Sequence, residues 1–357
     1  MDKIEFAKPY FGQAEYDSVA AALQRPILTN GVNVAAFESL FEAFVGGGKA
    51  AAVSNCASAL WLSLADISPG DEVICPALTH VSTAHAIELR GGTPVFVDCD
   101  TTGNIDMDQA MEAITAKTRA MMVVHFMGLP VDFGGSLDIL RNKGIRVVED
   151  CALALGAYWR GKHVGLNGDA GCFSFYPCKH ITTGEGGMVL TTSMPEADRV
   201  KKNRQFGQNL YNRDVTTLGM NMRMTEMQAA LGCAQMKRLK RILDIRERNY
   251  TILMNGLREK VEVVDHSNGS HYAFCFFVPV GMSRNDMRRN LAFRGVGNSV
   301  YYEFSVPRLK YYKRKYRPDE FPVAREFSEY SLCLPVGPHV SQEEAHKMVD
   351  IVTELIG

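Results

Sequence analysis

The chain lacks the marks of several protein classes, and each absence narrows its function. No apolar run approaches the ~20 residues of a membrane-spanning helix, and the N-terminal MDKIEFAKPYFGQAEYD has no apolar signal core. A cytoplasmic location without a membrane partner is therefore expected. A charge excess of either sign is also missing, since 39 Lys and Arg against 40 Asp and Glu leave a formal net charge of −1. Nucleic-acid binders usually carry a basic field, so no nucleic-acid partner is expected, although a local site can still hold a small anion. The nine cysteines are Cys56, Cys75, Cys99, Cys151, Cys172, Cys178, Cys233, Cys275 and Cys333, an odd number with no C-x-x-C pair. Several lie in apolar runs, which argues for reduced, buried thiols rather than a disulfide framework or a metal site. Internal repeats and low-complexity linkers are absent as well.

What remains is enough for a large core. The 357 residues are 46% apolar, about right for two packed domains. Short apolar runs predict strands at Ala50–Ser54, Glu72–Pro76, Pro94–Asp98, Ala120–Phe126, Ile145–Asp150, Gly171–Tyr176 and Gly187–Thr192. Helical patterns separate the first five at Ser58–Asp66, Ser82–Leu89, Asp108–Ile114 and Gly135–Arg141. This alternation predicts an α/β fold with a mostly parallel sheet covered on both faces, whose ligands bind at the carboxyl ends of the strands. Asn33 to Val45 reads as a helix with Asn33 as N-cap. A long helical pattern from Thr225 to about Lys260 carries the basic run KRLKRILDIRER, read as a solvated face or a connector. The tail, with strand candidates at Tyr272–Val280 and helices near Asp286–Phe293 and Glu343–Leu355, looks like a smaller α+β domain. The expected division is a large domain over 1–245 and a small one over 246–357.

The chemistry concentrates in CFSFYPCKHITTGEGGMV. Lys179 lies between two buried strands beside a glycine-dense turn, where its ammonium must be solvated, paired or neutralised. Covalent attachment to an aldehyde cofactor meets that need; an edge lysine at a hairpin turn is the plain alternative. Asp150 ends a buried strand in VVEDCALALGA, where a carboxylate could keep a pyridinium nitrogen protonated, or simply cap a helix. Ser54 to Leu60 places small residues at a helix N-terminus, a cradle for phosphate. His80 stands at another strand end and could stack on an aromatic ring.

Together these residues resemble the DegT/DnrJ/EryC1/StrS sugar aminotransferases, within the fold-type I pyridoxal-5′-phosphate (PLP) enzymes. The likeness runs from LTNG-x-x-V-x-x-FE at Leu28 through SFYPCKHITTGEGGMV and GMNMRMTEMQAALG to LPV near the C-terminus. The string K-x-I-T-T-G-E-G-G is its most specific part. The resemblance implies a large domain with a mostly parallel seven-stranded sheet, and PLP alternating with pyridoxamine phosphate. It implies that Lys179 binds the cofactor covalently and that Asp150 meets the ring nitrogen. Ser174 and the backbone of Cys56 and Ala57 hold the phosphate, His80 takes the ring-stacking place, and Asn221 reaches the phosphate of a partner subunit in a homodimer with shared active sites. The implied reaction moves an amino group from L-glutamate to a nucleotide-linked 4-keto-6-deoxy sugar, for surface-polysaccharide or antibiotic amino sugars. A 3-keto sugar, a keto-cyclitol, or a PLP-binding regulator without turnover are the alternatives. Lys179 occupies the position where related dehydratases carry His, which favours transamination. Three departures stand out: Leu153 and Ala57 replace polar residues, and Tyr301 to Pro307 lacks the usual P-L-H signature.

Overall fold

The computed structural model describes residues 3–209, 212–317 and 319–357. Twelve strands are present among them: β1 (Lys49–Val53), β2 (Glu72–Pro76), β3 (Thr93–Val97), β4 (Thr118–Val124), β5 (Arg146–Asp150), β6 (Tyr158–Trp159), β7 (Lys162–His163), β8 (Ala170–Ser174), β9 (Gly187–Thr191), β10 (Glu262–Val263), β11 (Phe274–Phe277) and β12 (Ser331–Leu334). Seven of them form one sheet in the order β1-β9-β8-β5-β4-β2-β3. Only β9 runs against the rest, pairing antiparallel with β1 and β8. The β2–β3, β2–β4, β4–β5 and β5–β8 pairs are parallel.

The near-continuous apolar strands are explained by burial on both faces. Along β1, Ala51 and Val53 enter one buried cluster while Ala50 and Ala52 enter another on the opposite face. The second cluster is closed by the helix Val32–Val45, whose Phe37 and Phe41 are fully buried. Their rings lie 5.0 Å from Phe175 and 4.9 Å from Phe173. Burying each such ring contributes about 1.5–3 kcal/mol, so this helix is held mainly by tertiary packing.

Its start differs from the expectation at Asn33. The helix begins at Val32 with Gly31 as N-cap, and no side chain of its own caps it. Glu226, far along the chain, does so instead: its carboxylate accepts from the N–H groups of Gly31, Asn33 and Val34 at 2.8, 2.8 and 3.0 Å. An anion on the positive helix end replaces the local cap. The long helix expected from Thr225 to Lys260 is two helices, Glu226–Met236 and Leu239–Leu257. Between them Arg238 turns inward, donating from Nη1 to Glu15 at 2.8 and 3.0 Å. The basic run is thus not a uniformly solvated face. Arg238 is ion-paired and Arg246 is buried, while Lys240 and Asp244 form an exposed i,i+4 pair.

β10, β11 and β12 form a separate antiparallel sheet. A third buried cluster joins Phe274 and Phe276 of β11 to Leu253 and Leu257 of one helix and Met348 and Val352 of the C-terminal helix Gln342–Ile356. The expected division at residue 245 falls inside the helix Leu239–Leu257. Leu239 and Ile242 pack with the large sheet, whereas Leu253 and Leu257 pack with the small one. Tyr272, Cys275 and Phe327 also join the large-sheet core, so the two sheets are packed together. No helix among the described residues is long and apolar enough to cross a membrane.

Candidate active site

A cleft of about 450 Å³ opens at the carboxyl ends of β1, β2, β5 and β8, within the size range of small-molecule sites. Each wall follows from local sequence. After β1, Asn55 caps the helix Cys56–Ser63, its Oδ1 accepting from Ser58 N at 2.8 Å. Cys56 and Ala57 line the cleft at that helix start. Gly187 begins β9 directly against this turn; a Cβ there would lie 2.5 Å from the Asn55 carbonyl carbon. Only glycine lets the strand close on the cradle.

The stretch between β8 and β9 carries Lys179. Thr182 Oγ1 and Thr183 N–H both donate to the Phe175 carbonyl, at 2.9 and 3.0 Å, and the Gly186 carbonyl accepts from Phe175 N. Gly184 takes a left-handed φ of 80° in this turn. The T-T-G-E-G-G residues therefore form the return that fixes Lys179 at the rim. Among the described residues its Nζ has no hydrogen bond or ion pair, and its nearest aromatic face is Tyr272, centred 5.1 Å away. Burial lowers its pKa, against the raising influence of Cys178, Cys56 and Asp150.

Asp150 sits across the cleft at the end of β5, 4% exposed. Its Oδ1 accepts from Ala152 N at 3.1 Å and its Oδ2 from Thr83 Oγ1 at 3.2 Å. Burial raises its pKa more than Ala152, Lys179 and Thr83 lower it. Among the described residues no cation lies within ion-pair distance of this carboxylate. The adjacent Glu149 has the opposite surroundings. It accepts from Gly165, Asn167 and Gly168 N–H at 2.8, 2.8 and 2.7 Å and hydrogen-bonds His125 Nε2 at 3.0 Å. Burial alone would raise its pKa, but these donors hold it below the usual value. His125, Glu149 and Cys151 bring ligand atoms within 4.8 Å of one another. Glu149 is committed to the 163–168 loop, and His125 Nδ1 accepts from Val131 N at 3.0 Å, so the group serves as a brace.

Of the sequence-predicted residues, Lys179, Asp150, Ser174, Cys56, Ala57 and His80 share this one cleft. His80 caps the helix Val81–Leu89, its Nδ1 meeting Ser82 Oγ at 2.8 Å, and its ring lies 5.9 Å from Tyr302. Asn221 does not join them. It is exposed beside Gln205, in a segment that runs along the end of β1. The hydroxyl of Ser58, next to Ala57, lies 3.0 Å from Ser54 Oγ. Leu153 lines the cleft as an apolar wall. Arg223 lies beside Phe206, and Arg308 pairs with Glu329 at 2.8 Å.

Sequence reasoning missed Thr83, Tyr272, Tyr301 and Tyr302. Thr83, in the first turn of the helix Val81–Leu89, meets Oγ1 of Thr79 just before that helix at 2.8 Å. The tyrosines were not legible, because they arrive from the small-sheet region. Tyr272 OH donates to Cys178 Sγ at 3.1 Å and meets Tyr301 OH at 2.9 Å, forming an aromatic wall opposite Asp150.

A seven-stranded α/β sheet whose strand ends bring a buried lysine, a buried carboxylate and a helix N-terminus into one cleft has the frame of a small-molecule enzyme. The DegT/DnrJ/EryC1/StrS aminotransferase family profile matches residues 9–353. The chain belongs to that family and is an aminotransferase. It is 33% identical to the spore coat polysaccharide biosynthesis protein SpsC of Bacillus subtilis, covering 99% of this chain and 97% of that one. Identity is 35% to a UDP-N-acetyl-3-dehydro-alpha-D-glucosamine 3-aminotransferase of Acidithiobacillus ferrooxidans, over 84% and 82% of the two chains. To the GDP-perosamine synthase of Escherichia coli O157:H7 it is 34%, over 85% of each. Among solved structures, the PLP-form of Spr1654 from Streptococcus pneumoniae superposes with a TM-score of 0.93 at 26% identity, covering 99% of this chain and all of that one. The same protein is known in a PMP-form, and these likenesses indicate PLP dependence.

Proposed function

We propose that the chain transfers an amino group from L-glutamate to a nucleotide-linked keto-sugar, with a 4-keto-6-deoxy sugar as the first candidate. The observation that carries this reading is Lys179 and Asp150 facing one cleft, each without an ion pair among the described residues. When bound, PLP supplies an electrophilic carbon for amino groups and a ring that accepts electron density. Lys179 Nζ would hold it, Asp150 would keep the proton on its ring nitrogen, and Ser174 with the Cys56 and Ala57 N–H groups would meet its phosphate. His80 would flank the ring. The Lys179 amine, its pKa lowered by burial, is suited to take a proton from the donor Cα near neutral pH. Tyr272, Tyr301 and Tyr302 give the acceptor an apolar, hydroxyl-tipped wall, as a sugar ring requires.

A 3-keto UDP-sugar is the second reading, favoured by the name of the Acidithiobacillus relative. We further infer a homodimer in which Asn221 reaches the partner's phosphate. Its support is an exposed apolar surface around Asn221, including Ile27, Val32, Leu218 and Met220, each more than half exposed, since patches of this kind mark interaction sites.

The test is the absorbance of the protein with PLP. A visible band that gives way to a near-ultraviolet band on adding glutamate, and returns on adding the right keto-sugar, supports the reading. A visible band that glutamate leaves unchanged rejects glutamate as donor, and return with a 3-keto but not a 4-keto sugar selects the second reading.

A further inference from the structure

Lys179 also lines a second and much smaller cavity, which Asp150 does not reach. Its walls include Lys179, His180, Gln235, Arg246, Gly337 and His339. It offers about 20 Å³, room for one water-sized group. Arg246 is 5% exposed and sits among cations and neutral groups. Its Nη1 donates to the carbonyls of His271 and Tyr272 at 3.3 and 2.9 Å, but its Nε is buried with no hydrogen-bond partner. No carboxylate forms an ion pair with it among the described residues. The charged and titratable groups around it are Lys179, His180, His271, His339, Tyr272, Tyr301 and Cys178.

A second orphan lies on the same wall. His339 Nε2 donates to the Glu5 carbonyl at 2.8 Å, which leaves Nδ1 buried and unpartnered. Both groups crowd Gly337: a Cβ there would lie 2.8 Å from His339 Nδ1 and 3.8 Å from Arg246 Nη2. Acidic groups nearby are already engaged, Glu15 with Arg238 and Gln235. Leaving a guanidinium buried without counter-charge costs several kcal/mol, and a small space lined by that residue is the geometry that recruits one.

We propose that this cavity binds one compact monovalent anion against Arg246. Two sources share that chemistry: a free halide, or the carboxylate of the amino donor reaching past Lys179. The second source rests on the aminotransferase reading; the first does not. Either occupant offsets the positive influence of Arg246 on the neighbouring Lys179.

The probe is bromide, located by anomalous diffraction in crystals of the cofactor-loaded wild-type enzyme. A bromide peak within hydrogen-bond distance of Arg246 is expected. In solution, bromide affinity followed by halide NMR line broadening should fall roughly 10- to 100-fold in Arg246→Gln, and much less in Arg246→Lys, which keeps the charge. Chloride that raises the glutamate KM at constant kcat identifies the donor carboxylate as occupant; a KM indifferent to chloride identifies a separate halide site. A cavity that holds only water, in crystals at high bromide and in wild-type line broadening, overturns the proposal even if the variants fail to fold. Formation of the visible band is checked on the same sample, so loss of the cofactor reading is seen separately.

Discussion

Glu149 and Asp150 are neighbours at the end of β5, and their side chains leave the strand on opposite faces into opposite environments. Glu149 is saturated with backbone donors and a histidine, and its pKa is held low. Asp150 receives one backbone N–H, one hydroxyl and a long contact from the Cys56 thiol at 4.0 Å, and its pKa is raised. Both are almost fully buried, so burial does not separate them. The donors do. A buried carboxylate whose lone pairs are filled by its own fold is a brace, whereas one left short of charge is waiting for a cationic ligand.

The largest effect belongs to the group facing Asp150. Lys179→Ala should abolish the visible band and lower turnover by at least about 10³-fold, measured with glutamate and the accepted sugar. Asp150→Asn should lower turnover by roughly 10²- to 10³-fold, while thermal unfolding shows cofactor-free protein no less stable than wild type. Glu149→Gln should do the reverse. It breaks a buried hydrogen-bonded pair and should cost about 3 kcal/mol in urea unfolding. A Glu149→Gln protein that stays fully stable would erase the distinction drawn here.

The pH dependence sharpens the same contrast through its sign. Glu149, with a depressed folded pKa, contributes stability above the usual carboxylate pKa, and this is lost as pH falls through the depressed value. Asp150, with a raised folded pKa, contributes in the opposite sense: its contribution is fully present below the unfolded pKa and is lost as pH rises through the raised value. Cofactor-free wild type should therefore lose stability relative to Asp150→Asn as pH climbs from about 4, and bound PLP should remove that loss. The smallest effect is expected of Thr83→Val, which deletes one hydroxyl donor to Asp150. About 1 kcal/mol, read as a several-fold fall in turnover, is the expected size.

Much of this was legible in the residues. The seven strands of the large sheet were readable because strands buried on both faces need unbroken apolar runs, and the glycine-dense return after Lys179 announced a tight turn; the short β6–β7 pair was not read. Six of the seven named site residues came together, since a βα unit sends the residue after each strand to the same sheet end. Besides Thr83 and the three tyrosines of the cleft, three features of the fold escaped. The cap on the helix Val32–Val45 comes from Glu226, a distant partner that no local pattern announces. The break at Arg238 is set beside an ion pair with Glu15, and the inward turn of Arg246 is hidden inside a run that reads as solvated charge.

The sequence by itself determined the class of fold, the sheet end that carries chemistry, and the lysine and carboxylate that face each other there. Periodicity and turn chemistry are local, and they repeat in every βα unit. Tertiary structure alone decided which carboxylate is starved and which is saturated, which tyrosines wall the cleft, and that Arg246 lies buried without a counter-charge behind Lys179. Those properties depend on donors and charges that arrive from remote segments, and the free energy of a buried charge is set by its few nearest neighbours in space.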